Sequence, residues 1–240
     1  MRRFTIPASV AIALAAAGCH WSAADAEERE AGQKVSRNFA VGNFSKIEVA
    51  GPYDVRVVTG GQAAVSATGG ENLLNETEVV VEGDELKIRP KKHKRWHWSN
   101  GSAQFTVSVA ALRAASIAGS GGITVDKVSG DFAADVAGSG DLRLPSVAAG
   151  KLKLAIAGSG GVTAAGTADN VDIDIAGSGD IDAKSLVSRT ADVSIAGSGG
   201  VAAHATEKAD VSIMGSGDVE LTGGAKCSVS KMGSGNVHCG

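Results

Sequence analysis

The chain has 240 residues, 33 of them glycine, and a formal net charge of −3. Five phenylalanines, three tryptophans and one tyrosine are too few to fill a conventional globular core of this length. A nearly balanced charge provides no field that would attract nucleic acid, so no nucleic-acid partner is predicted. The composition instead requires a repetitive backbone in which glycine has a fixed role.

Residues 1–18 have the pattern of a secretory signal peptide. Two arginines follow Met1, and a stretch of small and apolar residues runs from Phe4 to Gly18. That stretch is shorter than the roughly 20 apolar residues of a membrane helix. Residues 14–19 resemble the lipobox of bacterial lipoproteins, in which the cysteine becomes the lipidated N-terminus. The resemblance predicts lipidation at Cys19, whereas cleavage after Ala26 would instead give a soluble periplasmic protein.

Downstream of the signal, the sequence predicts two regions. Residues 19–37 are small and charged without a strand pattern, which is typical of a tether. Residues 38–240 are long enough for one domain with a substantial core. Within it, residues 38–110 are predicted to form an N-terminal cap and irregular coils, and residues 111–240 to form regular repeats.

The repeats are defined by a Gly-Ser-Gly phrase that occurs seven times. The steps between successive serines are 19, 20, 19, 20, 18 and 18 residues. Apolar residues stand at alternate positions on both sides of each phrase, which is the pattern of a strand with one buried face. The serines concerned are Ser120, Ser139, Ser159, Ser178, Ser198, Ser216 and Ser234.

A unit of about 19 residues is too short for a strand–helix–strand crossover, which needs about 30. It suits one turn of a solenoid made of two or three short strands, with Gly-Ser-Gly at a tight corner. The fold predicted is all-β, a single-stranded right-handed parallel β-helix with an N-terminal β cap. The residue after the phrase alternates between glycine and aspartate in the first six repeats and is Asn236 in the last. The alternation is expected to keep stacked carboxylates apart.

These features together resemble the head GIN domain family of auto-transporter adhesins. The resemblance spans roughly residues 38–235 and is carried by residues 44–51 (Phe-Ser-Lys-Ile-Glu-Val-Ala-Gly), by Leu86-Lys87-Ile88 and by the Gly-Ser-Gly-Gly/Asp series. It implies a β-helical fold in a lipoprotein or secreted context and an adhesin-like role. No catalytic residues and no cofactor come with the family.

An acidic column is the one pattern that suggests chemistry. The residues six before successive serines are Lys153, Asp172, Asp192 and Asp210, which would stack about 4.8 Å apart on the outside. Such a column suits a divalent cation or the carboxylates of a carbohydrate-active β-helix enzyme. The preferred interpretation is that the aspartates cap corners, with Lys153, Arg189 or Lys208 relieving their repulsion. A hydrolase would also need aromatic residues for sugar stacking, and residues 133–240 contain none.

Two cysteines flank the last Gly-Ser-Gly phrase. Cys227 and Cys239 stand seven before and five after Ser234, and both offsets predict an inward side chain. In an oxidising compartment this arrangement predicts a disulfide that closes the last coil. The alternative is a pair of buried thiols.

The remaining candidate is a basic segment with two tryptophans, predicted to bind an anionic glycan, a lipid headgroup or a protein. The alternative is a solvated hairpin arm. The predicted function is therefore non-catalytic binding at the cell envelope. The protein is predicted to be anchored in the outer membrane by an N-terminal lipid. A structural spacer without a ligand is the further alternative. The residues assigned to the segment are Lys91, Lys92, Lys94, Arg95, Trp96 and Trp98.

Overall fold

The computed structural model describes residues 32–91 and 103–240. The first of these stretches and the strand after it form the N-terminal part of the domain. Its elements are β1 (Lys34–Phe39), β2 (Lys46–Ala50), β3 (Tyr53–Thr59), β4 (Ala64–Gly70), α1 (Glu71–Glu76), β5 (Thr77–Glu82), β6 (Glu85–Pro90) and β7 (Ala103–Val109).

The repeats follow β7 and are almost entirely strand. Their elements are β8 (Ala114–Gly119), β9 (Gly122–Val125), β10 (Val128–Ser129), β11 (Phe132–Gly138), β12 (Asp141–Gly158), β13 (Gly161–Gly177), β14 (Asp180–Gly197), β15 (Gly200–Gly215), β16 (Asp218–Thr222), β17 (Lys226–Gly233) and β18 (Val237–Cys239).

Strands β12 to β15 stack in parallel, each on the next, with the repeats in register. Ile156 pairs with Ile175, Ile175 with Ile195, and Ile195 with Ile213. All four side chains are buried, as the alternating pattern predicts. The predicted parallel β-helix with coils of about 19 residues is thus confirmed.

The coils differ from expectation in the length of their strands. Two or three short strands per coil were expected, but β12 to β15 each run for 16–18 residues. They bend at bulges instead of breaking, for example between Leu144 and Val147, where β12 and β13 shift register. Coils of unequal length can therefore stack, because the bulge absorbs the extra residue away from the Gly-Ser-Gly corner.

The Gly-Ser-Gly phrases form one continuous corner ladder. The first glycine of each has a positive φ, +132° at Gly177, which glycine adopts without strain. The backbone nitrogen of Ser178 donates to the Gly158 oxygen of the preceding coil at 2.8 Å. The equivalent bond is made by Ser139, Ser159, Ser198, Ser216 and Ser234. The second glycine leaves no room for a side chain, since a Cβ on Gly179 would lie 2.6 Å from the Gly160 oxygen.

The N-terminal part stacks in an order that differs from the chain order. The coil formed by β2 and β3 lies between the β6–β7 coil and the β8–β9 coil. Strands β1, β4 and β5 then add to this end in antiparallel pairs, and α1 connects β4 to β5. This cap covers the end of the stack that precedes the repeats.

Strand β1 includes residues that were predicted to belong to the tether, which was expected to end at residue 37. Strand β1 starts at Lys34 and pairs along its whole length with β4. Its sequence shows no clear alternation, because it is an outermost strand and its inward side chains Val35 and Phe39 are only partly buried. No helix within the described ranges is long and apolar enough to cross a membrane.

Candidate binding segment and surface columns

The basic segment is inserted where other coils have a tight corner. In the neighbouring coil only Gly51 and Pro52 separate β2 from β3, whereas residues 91–102 separate β6 from β7. The two ends of the segment are fixed by the parallel ladders, because Ile88 pairs with Val49 and Ala103 with Tyr53. The insertion therefore begins and ends on the corner ladder at the capped end of the solenoid.

The basic residues that precede the insertion are neutralised by carboxylates. Lys87 Nζ lies 2.9 Å from a Glu48 oxygen and 3.2 Å from a Glu85 oxygen, and the hydrogen bonds to Glu48 and Glu85 raise its pKa. Arg89 contacts Glu78 at 2.8 Å and Glu82 at 2.6 Å, and its hydrogen bond lowers the pKa of Glu82. Lys87 and Arg89 thus belong to a surface network of ion pairs within the fold.

Lys91 anchors the start of the insertion. Its backbone nitrogen donates to the Glu76 oxygen at 2.9 Å, and its Nζ donates to the Asn75 oxygen at 2.7 Å. Both carbonyls lie at the C-terminal end of α1, where a cation is favourable. The Lys91 side chain is exposed. The other predicted ligand-binding residues, Lys92, Lys94, Arg95, Trp96 and Trp98, lie outside the described residues, as do the signal peptide and Cys19.

The insertion begins and ends at the same end of the solenoid as the first described strand. Strand β1 is the outermost strand of its wall, and it begins at Lys34. The β6–β7 coil, which carries the insertion, is also the last parallel coil at this end. Lys34 therefore lies at the same end of the solenoid as Lys91 and Ala103, the described residues that flank the insertion.

The acidic column forms as predicted. Lys153, Asp172, Asp192 and Asp210 are register partners on four successive strands. The three aspartates lie within β13, β14 and β15, not at corners, so the prediction that they cap corners is wrong. The backbone groups at these positions pair with the adjacent strands, which leaves no free amide for a cap.

The cations near the column are arranged differently from the prediction. Lys208 pairs with Asp210, which raises the pKa of Lys208. Lys153 turns to Asp174 of the neighbouring column at 3.1 Å, and Arg189 pairs with Glu207 at 2.9 Å. Lys151 approaches Asp172 to 3.9 Å. Asp192 is exposed, and its register partners on the two adjacent strands are Asp172 and Asp210. Repulsion between these carboxylates destabilises the strand pairing at this position.

The three aspartates of the column do not line the groove on this wall of the solenoid. The shallow groove on this wall, about 630 Å³, is lined by the neighbouring columns that contain Asp135, Asp174, Ser194 and several alanines. Among residues 32–91 and 103–240 there is no group of three or more His, Cys, Asp or Glu arranged to hold a metal ion.

The last coil contains a disulfide between Cys227 and Cys239. The sulfurs are 2.16 Å apart, and the bridge joins β17 to β18. Sequence reasoning missed a second feature of this coil, Lys231. It stands three residues before Ser234, where the preceding coils have isoleucine or valine, so a comparison of the repeats would have found it.

A capped stack of parallel coils with a spacing of about 19 residues defines a β-solenoid protein. The chain belongs to the family described as "putative auto-transporter adhesin, head GIN domain", whose model matches residues 43–225. Membership of this adhesin family points to the cell surface or envelope. A comparison with functionally curated proteins found no match.

Several solved structures share the fold over nearly their full length. One is a "putative lipid binding protein" from Parabacteroides distasonis, 27% identical with a TM-score of 0.72, covering 87% of this chain and 97% of that chain. A "putative adhesin" from Bacteroides fragilis is 24% identical with a TM-score of 0.78, covering 86% and 97%. Another from Parabacteroides distasonis is 23% identical with a TM-score of 0.70, covering 87% and 98%.

Proposed function

We propose that this protein is a non-catalytic, lipid-anchored envelope protein that binds an anionic surface through its basic segment. The surface is recognised by negative charge, as on phospholipid headgroups or phosphorylated glycans. The observation that carries the proposal is the insertion of residues 91–102 between β6 and β7 at the capped end of the solenoid, where the first described strand also begins. A lipid at Cys19 would hold this same end against the membrane.

The energetics favour weak, reversible contact. Each basic residue near an anionic membrane contributes about 1 kcal/mol, so Lys91, Lys92, Lys94 and Arg95 together give a salt-sensitive attraction. Trp96 and Trp98 have side chains that favour the headgroup level. Lys87 and Arg89 add little to the attraction, because neighbouring carboxylates already balance their charges.

The family and one structural relative support the proposal. The family is described as an adhesin family, and the relative with 27% identity is described as a lipid-binding protein. Both descriptions fit a protein whose function is attachment to a surface. Neither names a reaction.

The test is co-sedimentation of the full chain carrying Cys19→Ser, which removes the predicted lipid. The probes are phosphatidylcholine vesicles with and without phosphatidylglycerol, and lipopolysaccharide. We expect binding only to the anionic probes, a loss of at least tenfold in affinity at high salt, and a further loss in Trp96→Ala with Trp98→Ala. Lipid and glycan sources are distinguished by which anionic probe binds more tightly.

Replacing residues 92–98 with a short Gly-Ser linker should abolish the binding. The matched control replaces two exposed lysines of the repeats, Lys127 and Lys226, with alanine and should bind like the parent. Unchanged binding after the segment is replaced would contradict the proposal and leave the solvated-arm interpretation. No binding to any probe would leave the spacer interpretation.

Lipidation has its own test in the unmodified chain. The parent protein should fractionate with membranes, and Cys19→Ser should release most of it. A parent protein that is already soluble and begins at Glu27 would contradict the anchor.

The enzymatic alternative rests on the register of Asp172, Asp192 and Asp210. If the column were catalytic, Asp192→Asn should abolish turnover of a polysaccharide and leave the fold intact. We expect no hydrolysis of anionic polysaccharides by the parent or by this variant. Turnover by the parent that Asp192→Asn removes would overturn the non-catalytic assignment.

A further inference from the structure

The last coil breaks a ladder that runs through all the preceding repeats. Three residues before each corner serine stands an isoleucine or valine that is at most 2% exposed. In the last coil this position is Lys231, which pairs in register with Ile213 and is exposed. The buried members of the ladder are Ile117, Val136, Ile156, Ile175, Ile195 and Ile213.

The apolar members of this ladder pack under the next coil. A Cβ on Gly179 would lie 2.6 Å from Ile156 Cγ2, so the isoleucine fills the space that the second glycine leaves empty. The same relationship holds between Ile195 and Gly217, at 2.8 Å. Within the described residues no coil stacks on Lys231, so an isoleucine in its place would be exposed on this face of β17.

Lys231 instead replaces a hydrogen bond that the next coil would provide. In the inner coils the oxygen of the second glycine accepts a backbone N–H from the following coil, as Gly160 does from Asp180 at 3.1 Å. The equivalent oxygen in the last coil belongs to Gly235, and it accepts Lys231 Nζ at 3.0 Å. The ammonium thus takes the place of the missing amide.

The C-terminal end is otherwise open to strand addition. Strand β17 pairs with β15 on one side, and within the described chain no strand lies beyond it. Val229 has the inward parity of Val211 but is 46% exposed, because nothing covers it. Unpaired strand edges with apolar side chains are templates for pairing with another chain, whereas the capped end is covered by antiparallel strands.

We propose that Lys231 keeps a second copy of this chain from stacking on the coil formed by β17 and β18. Stacking would break the Lys231–Gly235 bond and bury an ammonium group without a partner. Two copies meeting end to end would also bring their two Lys231 side chains together. The inference is independent of the ligand-binding function proposed above, since it concerns the opposite end of the molecule.

The test compares Lys231→Ile, Lys231→Met and Lys231→Arg in the full chain carrying Cys19→Ser. Sedimentation velocity over a hundredfold concentration range should show the parent and the arginine variant as monomers. The isoleucine and methionine variants should form dimers or larger species, with a dissociation constant at least tenfold lower than that of the parent. Hydrogen exchange at high concentration should show new protection in β17 and β18 of these variants and none in β1.

If the isoleucine variant does not fold, the methionine variant decides the matter, because its flexible side chain can follow the path of the lysine without the charge. Monomers for every folded apolar variant would overturn the proposal. Association without new protection in β17 would overturn it as well, since the contact would then lie elsewhere.

Discussion

The Asp180 carboxylate lies over Gly200 of the next coil, where its Oδ1 accepts a hydrogen bond of 2.9 Å from the glycine nitrogen. A Cβ on Gly200 would stand 2.8 Å from that oxygen. Asp141 takes the same position over Gly161, with 2.9 Å to the equivalent Cβ. The alternation of aspartate and glycine therefore has a steric basis in addition to the separation of charges predicted from the sequence.

Gly200→Ala should lower the free energy of unfolding by about 1 kcal/mol. The Asp180 side chain can swing away from a new methyl group, so the main loss is one hydrogen bond. Urea unfolding followed by circular dichroism measures the change. Gly42→Ala is the control, since a Cβ there meets nothing within 4 Å. An equal effect at the two positions would contradict the carboxylate-over-glycine contact.

Gly179→Ala should be far more damaging, at about 3 kcal/mol, because the new Cβ meets the Gly160 backbone oxygen and Ile156 at 2.6 Å each. Neither group can move without disturbing the preceding coil. Ser178→Ala, one residue earlier, should have almost no effect, because the exposed serine joins the ladder through its backbone nitrogen. If the serine variant were the less stable of the two, the corner would depend on its hydroxyl.

Tyr53 should make stability fall at alkaline pH. Burial raises the pKa of its hydroxyl above the ordinary value near 10, and a hydrogen bond with Thr77 opposes this only in part. The neutral form is therefore favoured in the folded state. Its contribution is fully present below about pH 10 and is lost as the pH rises through the higher folded pKa.

Because Tyr53 is the only tyrosine of the chain, ultraviolet absorbance of tyrosinate reports its ionisation directly. Tyrosinate should appear together with unfolding, and Tyr53→Phe should flatten the decline in stability above pH 10. Ionisation at the ordinary pKa in a chain that stays folded would contradict the buried position of this hydroxyl.

Removing the disulfide should loosen the C-terminal coil. Cys227→Ser with Cys239→Ser opens a bridge between residues twelve apart in sequence, for which about 3 kcal/mol is an upper limit. Hydrogen exchange in β17 and β18 should speed up, while β12 to β14 remain protected. Equal acceleration throughout the solenoid would instead mean that the bridge supports the whole fold.

The period of the repeats was enough to predict the coils, because equal spacing between serines forces equivalent residues such as Ile175 and Ile195 into register. The position of β2 and β3 inside the stack could not be predicted. Between β3 and β6 the chain forms β4, α1 and β5, which do not belong to the parallel coils. No repeat in the sequence indicates that β6 and β7 then stack on β2 and β3. Helix α1 was missed because only Leu74 of its six residues is buried. Lys231 was missed because its significance depends on the buried isoleucine and valine ladder that it interrupts.

The orientation of the domain on a membrane tests the central claim most directly. In the full chain carrying Cys19→Ser, a fluorophore is attached at Asn38→Cys, on β1, or at Ser230→Cys, on β17. The vesicles contain phosphatidylglycerol and a lipid-borne quencher. The account predicts strong quenching at residue 38, little at residue 230, and loss of both when residues 92–98 are replaced by a Gly-Ser linker. Equal quenching at the two ends, or quenching that survives this replacement, would contradict binding through the basic segment.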